Sequence, residues 1–153
     1  MSNSSPFKHD AADDSIGFLI WKMTTLWQRK LILVLKRFGI TQTQFAILAS
    51  LKWFQDKEKL ATQTNLVEHT KIDKMTLSKA IRKLELSGLV ERSSSVLDAR
   101  NTNVQLTTEG ESLIVKAIFA VENTDDDFFS CLTESQLKHY KSLTSLLIKS
   151  NTL

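Results

Sequence analysis

The chain has 153 residues, of which 42% are hydrophobic and 24% are charged, and its formal net charge is +3. This length predicts a single compact domain with a sizeable core, and the composition is typical of a globular protein. One proline and four glycines disfavour a turn-rich all-β fold, and a single cysteine excludes an internal disulfide. The apolar runs are shorter than the ~20 residues of a membrane span, and the first residues lack a signal-peptide pattern, so we expect a cytoplasmic protein.

Two helices are predicted in the first third of the chain. The first extends over residues 14–38 and ends before Gly39, a residue that favours helix termination. Its apolar residues occupy more than one face of the helix, so a single packing partner would not cover them. The second helix is predicted over 41–54, because Thr41 and Gln44 are spaced as a capping box.

A helix-turn-helix follows. Thr62 can cap a short third helix, and residues 70–72 form a tight connector after it. Asp73 can then cap a fourth helix, because its carboxylate can accept hydrogen bonds from the free amides of the first turn. Two helices joined by a turn of about three residues have the spacing of a DNA-binding helix-turn-helix.

The fourth helix has an apolar face and a basic face. The apolar face, which can pack inward, consists of Leu77, Ala80, Ile81 and Leu84. The basic surface suits the phosphate-lined major groove of DNA. Its predicted DNA-contacting residues are Lys74, Met75, Thr76, Ser78, Lys79 and Arg82. A merely solvated basic surface is the alternative, and the preceding helix and the strands that follow favour DNA binding.

A β-wing is predicted after this helix. Gly88 provides the stop, and residues 89–92 and 103–106 have the pattern of two paired strands with a polar hairpin between them. The predicted fold class is therefore mainly α (α+β), a winged helix-turn-helix domain with a two-stranded wing.

The last two predicted helices cover residues 108–129 and 133–149. Thr133 and Gln136, at the start of the second, are again spaced as a capping box. Together with the first helix they carry more apolar surface than a small winged-helix core requires. A two-fold homodimer would bury this surface and present two recognition helices roughly 34 Å apart on one face of DNA. The alternative is a monomer whose terminal helices fold back on themselves.

These elements define the predicted domain organisation. Residues 1–13 are rich in Ser, Asn and Asp, and we expect a flexible leader there. Residues 14–153 form one domain. Within it, 14–38 and 109–149 are the dimerisation helices, and 41–107 is the DNA-binding region.

Several short motifs, in order and at matching spacing, resemble the MarR (multiple antibiotic resistance regulator) family of winged-helix transcription factors. They are Phe38-Gly39-Ile40-Thr41, Leu84-Glu85 with Gly88-Leu89-Val90-Glu91-Arg92, Asp98-x-Arg100, and Leu106-Thr107-x-x-Gly110. The resemblance implies a homodimer that represses transcription from a pseudo-palindromic operator. It also implies that Arg100 enters the minor groove while Asp98 holds the wing loop. Asn101 and Asn103 stand where the family pattern often has an acid and a second arginine.

The resemblance further implies release from DNA by a small, often aromatic, effector. Four aromatic residues could line its pocket, with one arginine as a counter-charge: Trp21, Trp27, Phe45, Trp53 and Arg29. The alternative is that the aromatic residues belong to the core.

Nothing in the sequence predicts an enzyme, a cofactor or a metal site. The three histidines are far apart in unrelated contexts, and no phosphate-binding glycine loop or nucleophile motif is present. We expect Cys131 to be a part-buried, unreactive thiol, and a redox sensor is the alternative. The alternative function is a winged-helix module that binds a protein or RNA partner and senses no effector.

Overall fold

The computed structural model describes residues 4–94 and 101–152, so Asp98 and Arg100 lie outside the described residues. The α-helices within these ranges are α1 (Ile16–Lys36), α2 (Gln42–Asp56), α3 (Gln63–Thr70), α4 (Lys74–Leu86), α5 (Thr108–Phe128) and α6 (Glu134–Ser150), and a short 3-10 helix precedes α1 at Ala12–Asp14. The strands are β1 (Ala61–Thr62), β2 (Val90–Ser94) and β3 (Thr102–Leu106). No helix of this described part is long and apolar enough to cross a membrane.

Side-chain caps determine where most helices begin. The capping boxes predicted at Thr41 and Thr133 are both formed, and Thr62 forms a third one with Asn65. α1 begins two residues later than predicted, because Ser15 accepts a hydrogen bond from the amide of Phe18 and acts as its N-cap. These short-range hydrogen bonds satisfy amides that the first helical turn leaves unpaired.

The sheet is larger than the predicted two-stranded wing. β2 and β3 form the expected antiparallel hairpin, and β1 adds a third strand in the order β1-β3-β2. β1 pairs Ala61 with Val104 and Thr62 with Asn103. The sequence prediction missed β1 because a strand of two residues is too short to show an alternating pattern. This strand anchors the wing to the start of α3.

The core lies between α2, the helix-turn-helix, the C-terminal part of α1 and the first two thirds of α5. Its largest fully buried side chains are Leu31, Leu35, Ile47, Leu48, Leu66, Leu77, Ile81, Leu84, Val90, Val104 and Ile114. These residues come from α1 to α5 and from both wing strands. α6 has no buried residue, so this helix stands outside the core of the single chain.

The Leu106-Thr107-x-x-Gly110 motif joins the wing to α5. Thr107 is the N-cap of α5: its hydroxyl donates to the carbonyl of Gly88 (2.6 Å) and accepts from the amide of Gly110 (3.0 Å). Its own amide donates to the carbonyl of Leu89 at 3.1 Å. A Cβ atom on Gly110 would overlap that carbonyl. The glycine therefore permits the first turn of α5 to lie directly against the base of β2.

One expectation about burial is wrong. Cys131 is exposed rather than part-buried, because it lies in the short connection between α5 and α6, outside the core.

Candidate nucleic-acid interface

The turn between α3 and α4 is held by one threonine. The hydroxyl of Thr70 donates to the carbonyl of Leu66 at 2.6 Å and accepts from the amide of Ile72 at 3.2 Å. Lys71 adopts a left-handed conformation with φ of 63°. The helix-turn-helix predicted from the sequence is thus closed by local hydrogen bonds, which fix the direction in which α4 leaves the turn.

The N-terminus of α4 is capped by Asp73, as predicted. One carboxylate oxygen accepts from the amide of Thr76 at 2.9 Å, and the other accepts from the hydroxyl of Thr76 at 2.6 Å. These hydrogen bonds from Thr76 hold the pKa of the Asp73 carboxyl below its usual range. The carboxylate is therefore ionised and engaged within its own helix.

α4 presents the two faces that the sequence predicts. Leu77, Ala80, Ile81 and Leu84 are buried in the core. Of the six residues predicted to contact DNA on this helix, five are exposed and Ser78 is half-buried; the exposed ones are Lys74, Met75, Thr76, Lys79 and Arg82. Lys83 is exposed as well. Because the apolar face packs into the core, the cationic surface of α4 faces solvent. DNA contact by these residues stays a prediction.

An ion pair that the sequence analysis missed links α4 to the wing. Arg92 on β2 donates from Nε and Nη2 to the two carboxylate oxygens of Glu85, at 3.1 and 2.9 Å. The guanidinium lowers the pKa of the Glu85 carboxyl, and the carboxylate raises the pKa of Arg92. Such a two-point contact restricts orientation more than a single hydrogen bond does. It joins the end of the recognition helix to the first wing strand.

We expect this pair to position the wing for operator binding. DNA is negatively charged. By electrostatics alone, removing the positive charge of Arg92 would lower DNA affinity, and removing the negative charge of Glu85 would raise it. Loss of positioning would instead lower the ratio of operator affinity to random-DNA affinity in both Arg92→Gln and Glu85→Gln. Titration of both variants with operator and random DNA measures this ratio, and opposite changes in it would contradict the positioning role.

The same pair has an expected pH dependence. Because the folded state lowers the pKa of Glu85, the stabilisation is fully present above its ordinary value of 4.5 and is lost as the pH falls through the lowered value. The positioning effect should therefore persist at neutral pH.

The five residues predicted for an effector pocket lie in different environments. Trp21 and Arg29 are exposed on α1, and Phe45 is a half-buried neighbour of the core. Trp53 stacks on His69 with ring centroids 5.3 Å apart. Trp27 donates from Nε1 to the carboxylate of Asp125 at 2.7 Å.

Of these five residues, Trp27 borders a cavity. The cavity lies between α1 and the α5–α6 corner, where α5 ends at Phe128 and the chain turns into α6 at Glu134. The cavity has a volume of about 280 Å³, and its lining residues are Met23, Thr24, Trp27, Asp125, Phe128, Phe129 and Tyr140. Its walls are mostly aromatic, and its charged group is the carboxylate of Asp125. The sequence analysis missed the other lining residues, which come from α1, from the end of α5 and from α6: Met23, Thr24, Asp125, Phe128, Phe129 and Tyr140.

Within residues 4–94 and 101–152, no three His, Cys, Asp or Glu side chains are grouped as a metal site would require.

Comparison with known proteins agrees with this architecture. The family of ArnR1-like winged-helix domains matches residues 36–123. The HTH-type transcriptional regulator YdcH of Bacillus subtilis (strain 168) is 33% identical over 129 residues, which cover 84% of this chain and 88% of that protein.

Solved structures show the same fold. A MarR-family transcriptional regulator from Rhodococcus sp. RHA1 is similar with a TM-score of 0.82 and 18% identity, over 95% of this chain and 100% of the other. The S. aureus MepR–DNA complex is similar with a TM-score of 0.80 and 24% identity, over 89% of this chain and 98% of the other.

Proposed function

Since this chain belongs to the MarR family of winged-helix transcriptional regulators, we propose that it is a homodimeric repressor of a pseudo-palindromic DNA operator. It is a regulator with a helix-turn-helix DNA-binding domain and not an enzyme. A dimer that occupies an operator excludes other proteins from that DNA, so repression requires no further contact. We place this action in the cytoplasm.

The observation that carries this proposal is the outward face of α4. Burial of its opposite face holds Lys79, Arg82 and Lys83 on a rigid support. A helix with a cationic surface of this kind can enter the major groove, where lysine and arginine contact phosphates and guanine edges. Arg100 is proposed to reach the adjacent minor groove, as the family resemblance implies.

Exposed apolar residues on the terminal helices support the homodimer. On α1, Trp21 is 71% and Leu33 is 68% exposed. On α6, the apolar residues that are more than half exposed are Leu143, Leu146, Leu147 and Ile148. Apolar surface of this extent is costly in water, and a two-fold interface between two copies would bury it.

The cavity beside Trp27 is the place where we propose that an effector binds. Its aromatic walls suit a flat aromatic compound, and Asp125 disfavours a negatively charged one. A neutral or cationic aromatic effector therefore fits better than an aromatic acid. An effector bound there would change how α1 packs against the α5–α6 corner. We propose that this packing sets the position of the two DNA-binding regions in a dimer.

Selection from random double-stranded DNA tests the proposed function. Two recognition helices in successive major grooves should enrich a palindrome of about 16–20 base pairs. An asymmetric half-site would contradict the dimer. No enrichment would contradict DNA binding and favour a protein or RNA partner instead. Adding an aromatic amine should release the selected operator, whereas benzoate at the same concentration should not.

Variants of α4 test the groove assignment. Lys79→Ala and Arg82→Ala should leave the fold intact, and loss of a side chain that reads a guanine edge should cost about 1–3 kcal/mol of binding. Lys116→Ala on α5 removes the same charge from an exposed position away from α4 and serves as the control. Unchanged operator affinity in both α4 variants would contradict the assignment.

A further inference from the structure

The side chains of Asp73 and Thr76, at the first turn of α4, use most of their hydrogen-bonding groups on each other and have few left for contact with DNA bases. Both carboxylate oxygens of Asp73 accept hydrogen bonds from Thr76, one from its amide and one from its hydroxyl. The hydroxyl proton of Thr76 is thereby committed to the cap. Thr76 is left with its methyl group and an acceptor lone pair, so it cannot donate to a base without breaking the cap.

Met75 is the exposed apolar side chain of this turn. It is 72% exposed, next to the committed Thr76 and one residue after Lys74. The Lys74 ammonium group is a mobile point charge that can pair with a phosphate oxygen. A single exposed apolar residue is ordinary on a protein surface. Met75 differs because it occupies the end of a recognition helix, where side chains contact base edges.

We propose that Met75 is a specificity-determining residue that contacts the C5-methyl group of a thymine in each half-site of the operator. In the major groove, thymine is the base that presents a methyl group, and apolar side chains recognise it by contact. A methionine adapts its three rotatable bonds to such a surface. This inference rests on the proposed function, because it assumes that α4 enters the major groove.

The expected loss of operator affinity follows from the size of one methyl group. Removing the thymine methyl group from its contact with Met75 should weaken binding about fourfold in one half-site. Removal from both half-sites of a palindrome should weaken binding about 15-fold, because the two contacts are far apart and additive.

The experiment uses the full chain and its selected operator. Each thymine is replaced in turn by deoxyuridine, which lacks the methyl group and keeps the same hydrogen-bonding edge. The wild-type protein should lose about fourfold in affinity at one thymine of each half-site. Met75→Ala should bind the thymine and deoxyuridine operators equally, whereas Met75→Leu should retain part of the difference.

Leu86→Ala is the matched control. Leu86 is an 87% exposed apolar residue at the opposite end of the same helix, so its truncation should leave the thymine preference unchanged. Comparing both DNAs with both proteins also cancels any effect of deoxyuridine on the DNA itself.

Two results would overturn the inference while DNA binding stands. One is a wild-type protein that is indifferent to deoxyuridine at every position. The other is a thymine preference that Met75→Ala retains in full. A protein that selects no DNA sequence would overturn the proposed function, and this inference with it.

Discussion

Gly110→Ala is expected to lower the free energy of unfolding by about 3 kcal/mol or more. The added Cβ atom would overlap the carbonyl of Leu89 and lie 3.3 Å from its Cα. These are backbone atoms, so no side-chain rotation can relieve the overlap. Leu89 is also held in place, because its amide donates to the carbonyl of Leu84 at 3.0 Å and its carbonyl accepts from Thr107. Thermal and denaturant unfolding measure the loss.

Gly17→Ala provides a matched control for that result. Gly17 lies in the first turn of α1, and the nearest atom to its added Cβ is the hydroxyl oxygen of Ser15 at 4.0 Å. Because alanine is the better helix former, this variant should be neutral or more stable by up to about 1 kcal/mol. Equal stability of the two variants would show that α5 does not require its close approach to β2.

A double variant of α6, Leu143→Glu with Leu147→Glu, is expected to be a folded monomer with about 100-fold or greater loss of operator affinity. Both leucines are more than half exposed in the single chain, so the new charges cost the subunit little. In a dimer the same positions would bury two carboxylates from each subunit against an apolar surface. A dimer binds its operator more tightly because its second recognition helix is held near the second half-site. A monomer lacks this increase in affinity.

Light scattering and an operator titration measure these two effects. Leu60→Glu is the control, because Leu60 is 63% exposed in the connection between α2 and β1, away from the terminal helices. It should remain dimeric. A dimeric α6 double variant would show that α6 is not in the interface. A monomeric variant with wild-type operator affinity would contradict binding through two half-sites.

The sequence by itself determined the helical elements and the faces of the recognition helix. Thr41, Asp73 and Thr133 cap helices through hydrogen bonds to residues three positions ahead. Such contacts depend on local spacing alone, so the residues reveal them without knowledge of the fold. The apolar face of α4 follows in the same way from the helical period.

The tertiary structure decided the contacts between residues on different helices and strands. Glu85 meets Arg92 because the turn after α4 brings β2 back beside it. β1 exists as a strand because packing of α3 and β3 brings Ala61 beside Val104. Neither pair has a local signature, since each depends on the path of the chain between its members.

The aromatic residues show the same division most clearly. Trp27 and Trp53 are equally good candidates for a pocket by residue type, yet Trp27 borders a cavity with Tyr140 while Trp53 stacks on His69. Residue type determines what a side chain can bind. Which side chains share one cavity depends on how the helices are oriented, and that orientation is fixed by packing of the whole core.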